Sequence, residues 1–94
     1  MSAWLFHDPQ NVAVITLRQI IFGEKPILYV SHDADDGGWQ FLDGGQVREE
    51  DAAVVSLANM VQHDASVQDL ADLPLGWCAW RTDAGKGWQR AKKS

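Results

Sequence analysis

The chain has 94 residues, of which 46% are hydrophobic and 22% are charged, and its formal net charge is −5. This composition predicts a single globular domain over residues 1–94 and argues against intrinsic disorder, because enough apolar side chains are present to form a core. The acidic charge argues against general nucleic-acid binding, which requires basic surface to meet the phosphates.

Charge is distributed unevenly along the chain. Residues 1–80 contain twelve acids and three bases and so carry −9, whereas residues 81–94 contain one acid and five bases and so carry +4. The ends, residues 1–3 and 91–94, are predicted to be flexible, as chain termini usually are.

A single cysteine, Cys78, leaves no partner for an intramolecular disulfide and is too few for a cysteine-based zinc site. No signal-peptide pattern begins the sequence, and no apolar run has the length of a membrane span. These observations together predict a cytoplasmic protein without membrane contact.

The N-terminal part predicts a strand that runs directly into a short helix. Residues 12–15 are a β-branched run typical of a strand. Thr16 and Gln19 have the spacing of a capping box, in which both side chains satisfy backbone amides at a helix start. The helix is expected over 17–23, with Gly23 at its C-terminal cap.

A hairpin is predicted next. Residues 27–30 are a continuous apolar run, which predicts a strand buried on both faces. The segment 33–37 ends in Asp-Gly, the strongest short signal for a tight hairpin turn. The alternating segment 38–42 then predicts the returning strand, with Trp39 and Phe41 on one face.

The C-terminal half predicts two helices and a second hairpin. Residues 51–62 show helical spacing of apolar side chains behind three acids, and predict one helix. A second capping signature begins at Ser66 and predicts a short helix that Pro74 ends. Residues 77–81 and 88–90 flank a glycine-containing turn and predict two short strands.

The predicted order of elements is β-α-β-β-α-α-β-β. This order predicts an α+β domain, a small and mostly antiparallel sheet of about four or five strands with two or three helices on one face. The last strand, at 88–90, is expected to lie at an edge, where it offers pairing with a second copy.

The acidic loop after His32 is the candidate chemical site. His32 with Asp33, Asp35 and Asp36 suggests a base or a metal ligand set. However, neighbouring residues on a strand point to opposite faces, and the twelfth position from Asp33, Gly44, lacks the glutamate that a calcium loop needs. We therefore predict no catalytic residue, metal ligand or cofactor, and a buried, unreactive Cys78.

The five tryptophans favour an interaction surface, because Trp and Arg are enriched at the energetic centres of protein interfaces. Arg81 and Trp88 are expected to form a cation–π pair across the second hairpin. The alternative is that most of the rings fill the core. The predicted contact surface comprises His32, Asp33, Asp36, Trp39, Trp77, Trp80, Arg81 and Trp88.

Four motifs resemble a family of short uncharacterised bacterial proteins: DPxNVAV at 8–14, PILYVSHD at 26–33, DGGWQF at 36–41 and LADLPxGWxAWR at 70–81. This resemblance implies a bacterial cytoplasmic protein and no particular chemistry. The Gly38-Trp39-x-Phe41 strand is also similar to a domain of unknown function found in immunity proteins of bacterial toxin systems.

The leading hypothesis is a small cytoplasmic domain that binds another protein, or a second copy of itself, without catalysis. One alternative is a small-molecule or metal-dependent enzyme that uses His32 with the loop of Asp33, Asp35 and Asp36. The other is an immunity-type inhibitor of a toxin. No nucleic acid and no membrane is expected among its partners.

Overall fold

The computed structural model of the chain describes residues 4–93, so the expectations for residues 1–3 and for Ser94 lie outside it. Residues 4–93 include two α-helices, α1 (Arg18–Ile21) and α2 (Leu57–His63), with 3₁₀ helices at Glu49–Asp51 and Ala65–Leu70. The strands are β1 (Ala13–Leu17), β2 (Tyr29–His32), β3 (Trp39–Leu42), β4 (Ala52–Ser56), β5 (Trp77–Trp80) and β6 (Gln89–Lys92). None of the helices within 4–93 is both long enough and apolar enough to cross a membrane.

All the strands join in one sheet with the order β4-β1-β3-β2-β5-β6. Every neighbouring pair is antiparallel except β1 and β3, which are parallel. The structure confirms the predicted mixture of helices with a mostly antiparallel sheet. In the part of the chain that the structure describes, however, the sheet has six strands rather than four or five.

The additional strand, β4, replaces the first half of the helix predicted over 51–62. The β-branched residues Val54 and Val55 lie opposite Ile15 and Val14 of β1, and this pairing outweighs the helical spacing of the apolar residues. The helix begins only after Ser56, whose hydroxyl accepts a hydrogen bond from a backbone N–H three residues later, at 3.1 Å.

The start of α1 also differs from the prediction. Thr16 is buried, and its hydroxyl donates to a backbone carbonyl of β3 at 2.8 Å. The Gln19 amide donates to the Asp43 carboxylate at 3.2 Å. The N-cap residue is Leu17, without a side-chain cap, so no capping box forms. Gly23 does follow the helix with a φ of 78°, the left-handed conformation expected there.

One face of the sheet, the core face, is packed against helical segments. Side chains alternate along each strand, so Val14, Val30 and Phe41 point to the same face. They are buried in one apolar cluster with Leu57 and Met60 of α2. The cluster also includes residues of the second 3₁₀ helix. We call the opposite face of the sheet the open face.

Residues 91–93 of the basic C-terminal end are paired with β5, and the expected flexibility of 91–94 stays a prediction. In β6, Ala91 and Lys92 lie opposite Cys78 and Trp77 of β5. The N–H of Lys93 donates to a carbonyl just before β5, at 2.8 Å. Strand β6 therefore extends two residues beyond the predicted strand, to Lys92, and one more backbone hydrogen bond follows at Lys93.

Backbone groups of β4 alternate between β1 and the outside of the sheet. The N–H of Leu57 donates to the carbonyl of Val12 at 2.9 Å, which continues the register of the two strands. Hydrogen-bonded pairs alternate along an antiparallel ladder. Ala53 and Val55 therefore bond to β1, whereas Val54 directs its N–H and C=O away from it, at the edge of the sheet.

Proline substitutions at adjacent positions of β4 test this alternation. Val55→Pro removes a ladder N–H and is expected to lower the free energy of unfolding by about 1–3 kcal/mol. Val54→Pro removes an outward N–H, a position where edge strands tolerate proline, so the loss should be much smaller. Urea denaturation measures both. Losses of about 3 kcal/mol at both positions, typical of a helix interior, would contradict the strand.

Candidate functional site

A row of side chains crosses the open face from one edge of the sheet to the other. In strand order the row is Val54, Ile15, Gln40, Ser31, Cys78 and Ala91. It begins apolar and accessible, since 70% of Val54 and 43% of Ile15 is exposed. Its centre is polar and covered, since only 3% of Ser31 is exposed.

The Asp33 carboxylate covers the polar centre of this row. It accepts hydrogen bonds from the Ser31 hydroxyl at 2.5 Å, the Gln40 amide at 2.7 Å and the Lys93 ammonium at 3.4 Å. Burial alone would raise the pKa of Asp33, but these hydrogen bonds together outweigh burial and lower the pKa below its usual value. At neutral pH Asp33 is therefore ionised, and its carboxylate is hydrogen-bonded within the fold.

An acidic cleft of about 340 Å³ lies at the tip of the first hairpin. Asp33, Asp35 and Asp36 line it together with Lys93. Asp36 accepts a hydrogen bond from the N–H of Gly38 at 2.8 Å, the local bond that a turn aspartate makes. Within residues 4–93 no three His, Cys, Asp or Glu side chains are grouped so that they would hold a metal ion.

A second cleft of about 240 Å³ joins this acidic tip to the apolar end of the row. Its lining includes Ile15 and Val54 as well as Asp33 and Asp36. Apolar and anionic groups of the open face meet here. We call the surface formed by Ile15, Val54 and Asp36 the edge patch.

His32 lies on the core face, away from the acidic tip. Its ring stacks on Trp39 with the centroids 3.8 Å apart, and its Nδ1 is 2.7 Å from the Leu73 carbonyl oxygen. A carbonyl can only accept, so Nδ1 carries a proton and donates. The next residue, Asp33, points to the open face, as alternation along a strand requires. The acid–base group of the enzyme alternative is therefore not assembled.

Arg81 is a buried anchor between β5 and the second 3₁₀ helix, and only 4% of it is exposed. Its guanidinium donates to the Asp64 carboxylate at 2.6 Å, the Ser66 hydroxyl at 2.8 Å and the Ile27 carbonyl at 3.0 Å. The guanidinium carbon also lies 4.0 Å from the centre of the Trp88 ring, which confirms the predicted cation–π pair. The guanidinium of Arg81 is therefore buried and hydrogen-bonded within the chain rather than presented to solvent.

The tryptophans are packing residues more than surface residues. Trp39 is only 2% exposed, and the other four are half-buried. The predicted contact surface is therefore not continuous: Trp39 and Arg81 are buried, and alternation places Trp77 on the core face with His32 but Trp80 on the open face. Exposed large apolar side chains are instead Leu5, Ile15, Ile21, Phe22, Val47, Val54 and Leu75.

Sequence reasoning missed the edge patch because it assigned Val54 to a helix. Two adjacent β-branched residues, Val54 and Val55, were the available signal for a strand. The pairing of Val54 with Ile15 could not be read from local pattern, because 38 intervening residues separate the two positions. Of the predicted surface, Asp33 and Asp36 do lie at this end of the open face.

Comparisons with protein-family models, with curated proteins and with solved structures found no significant match to this chain. The two resemblances drawn from its motifs stay predictions. The site described above is supported by its geometry.

The Asp64–Arg81 pair links stability to acid pH. Burial alone would raise the pKa of Asp64, but hydrogen bonds from Ser66 and Arg81 together outweigh burial and lower the pKa below its usual value. A carboxylate with a lowered pKa in the fold stabilises it at pH values above the unfolded-state pKa of about 4. That stabilisation is lost as the pH falls through the folded-state pKa.

Asp64→Asn is expected to lower the free energy of unfolding by about 2 kcal/mol at neutral pH, because it leaves the buried guanidinium without a counter-charge. The loss is below that of a fully buried pair because 24% of the Asp64 side chain is exposed. Urea denaturation between pH 3 and 7 measures this loss. The control is Asp72→Asn, which removes the counter-charge of Arg90 in an exposed pair. If the free energy of unfolding of Asp64→Asn fell with decreasing pH as steeply as that of the unmodified chain, Asp64 would not be the group that links stability to pH.

Proposed function

We propose that this chain is a small protein-binding domain that contacts its partner through the edge patch. The observation that carries the proposal is the exposure of two cross-strand neighbours, 70% of Val54 and 43% of Ile15, on the open face. Adjacent apolar side chains rimmed by polar groups are typical of interaction sites. Asp36 provides such a rim within the same cleft.

The charges around the edge patch favour a basic partner. Asp36 is exposed at one end of β4, and Glu49 and Glu50 are exposed at the other. Residues 1–80 as a whole carry −9, from twelve acids and three bases. Complementary charge speeds association and rejects partners of the same sign.

Self-association through the same patch is less favoured than binding of a basic protein. A two-fold contact brings the same surface of both copies together. The carboxylates of Asp36, Glu49 and Glu50 would then face carboxylates of the second copy. Like charges at an interface cost free energy, so we propose that the principal partner is a different protein.

We propose no catalytic role for this domain, because His32 and Asp33 act on opposite faces of the sheet. An immunity-type inhibitor remains a specific form of the proposal, since a basic toxin would suit the acidic patch. We also propose a cytoplasmic location. The free thiol of Cys78 is half-buried and suits a reducing compartment.

Site-specific photo-crosslinking tests the proposed surface. A benzophenone amino acid at Ile15 is expected to give a discrete adduct with a partner protein in bacterial extract. The same group at Phe22, which is 72% exposed outside the edge patch, is the control and should give none. Adding Val54→Asp should remove the Ile15 adduct, because a charge replaces apolar contact surface.

Two outcomes would contradict the proposal. If Ile15 and Phe22 give the same adducts, or if the Ile15 adduct survives Val54→Asp, the edge patch is not the binding surface. Circular dichroism of each variant confirms that the fold is retained.

A further inference from the structure

We propose that the partner binds by adding an extended segment to the sheet along β4, a segment that is aliphatic in its middle and basic at both ends. This inference deepens the proposed function and rests on it. It specifies how the backbone at the edge patch is used and which chemistry the partner presents.

The two edges of the sheet differ in the way they face solvent. At β6, the Lys93 N–H bonds to Gly76, so alternation along the ladder places Arg90 and Lys92 at the outward positions. Long basic side chains on an edge obstruct the approach of another strand. At β4 the segment Ala52–Ser56 has no charged residue and no proline. Of the two edges, β4 is the one without this protection.

The backbone of β4 offers the groups that an added strand needs. Val54 directs both its N–H and its C=O away from β1. Two residues later the N–H of Ser56 also points outward, but the C=O of this N-cap residue accepts the first hydrogen bond of α2. The N–H of Ala52 is already used, because it donates to the Glu49 carbonyl within the 3₁₀ helix. Main-chain hydrogen bonds to such an edge provide affinity, and alternate side chains provide specificity.

The side chains around β4 define the composition of the incoming segment. Val54 and Ile15 would contact aliphatic side chains in its middle. Asp36 lies beside the C-terminal end of β4, where it shares a cleft with Val54. Glu49 and Glu50 precede the N-terminal end, and Arg48 offsets Glu50 only in part, through a surface contact of 3.8 Å. Basic residues at both ends of the segment therefore match the charge.

The β6 strand of a second copy is a weaker occupant, although it is also extended and basic. Arg90 already donates to the Asp72 carboxylate at 2.7 Å and to the Asp69 carbonyl at 2.6 Å. Lys93 is engaged with Asp33 at 3.4 Å. These basic groups would have to leave their own chain to meet the acids beside β4, so a separate protein is the better fit.

A display library of short random peptides, panned on the full chain, tests the inference. Recovered peptides should have aliphatic side chains at alternate positions in the middle and Lys or Arg at both ends.

Val54→Pro keeps apolar surface but removes the outward N–H, and should weaken binding about tenfold. N-methylation of a central peptide amide should have a similar effect. Val47→Pro, at an exposed valine outside the strands, is the matched control and should change nothing.

The outcomes separate this inference from the proposed function. Peptides that bind Val54→Pro and tolerate N-methylation, yet are lost with Val54→Asp, would overturn strand addition and leave the edge patch as a side-chain surface. Binding that survives Val54→Asp would overturn both. Failure to recover peptides, recovery of peptides without basic ends, or a concentration-dependent dimer abolished by Val54→Pro would each overturn the stated occupant.

Discussion

The helix α2 and the second 3₁₀ helix pack against a single face of the sheet, and the rest of the structure depends on this arrangement. Polar groups on the covered face must find partners inside the protein, because water does not reach them. Arg81 and His32 meet this requirement by donating to the segment 64–73. Among the described residues, no buried side-chain nitrogen or oxygen lacks a hydrogen-bond partner.

Within residues 4–93 the open face is covered only in part, by its own side chains: Leu42 is buried at one end of β3, and polar side chains close the centre. Asp33 and Lys93 shield the centre of the row, but their side chains are 24% and 42% exposed, so this pair is screened and contributes little stability. Arg81 is different, because its side chain is only 1% exposed and loss of its counter-charge is costly. The fold therefore depends on Arg81, whereas the open face leaves Val54 and Ile15 accessible to a partner.

Local sequence pattern predicted the elements whose residues decide their own conformation. The hairpin at 33–37 follows from its Asp and Gly residues, and Gly37 indeed has a φ of 74°. The opposite orientation of His32 and Asp33 follows from strand alternation alone. The cation–π pair of Arg81 and Trp88 was predictable because the two strands of one hairpin bring residues that are close in sequence together.

Features that depend on distant partners were not predictable in this way. Thr16 fits a capping box locally, but its hydroxyl donates to a carbonyl of β3, which is remote in sequence. The strand β4 forms because β1 offers it an edge, and its apolar residues are equally compatible with a helix. The edge patch was not predictable for the same reason, since its residues come from β1, β4 and the first hairpin.

The central claim is that β4 is an edge strand whose Val54 faces outward and is free to pair. Amide hydrogen exchange resolved by NMR tests it most directly in the isolated protein. The structure predicts fast exchange for the N–H of Val54 and slow exchange for those of Ala53 and Val55, which bond to β1. Equal protection at all of these positions would contradict the open edge, and with it the surface on which the proposed function rests.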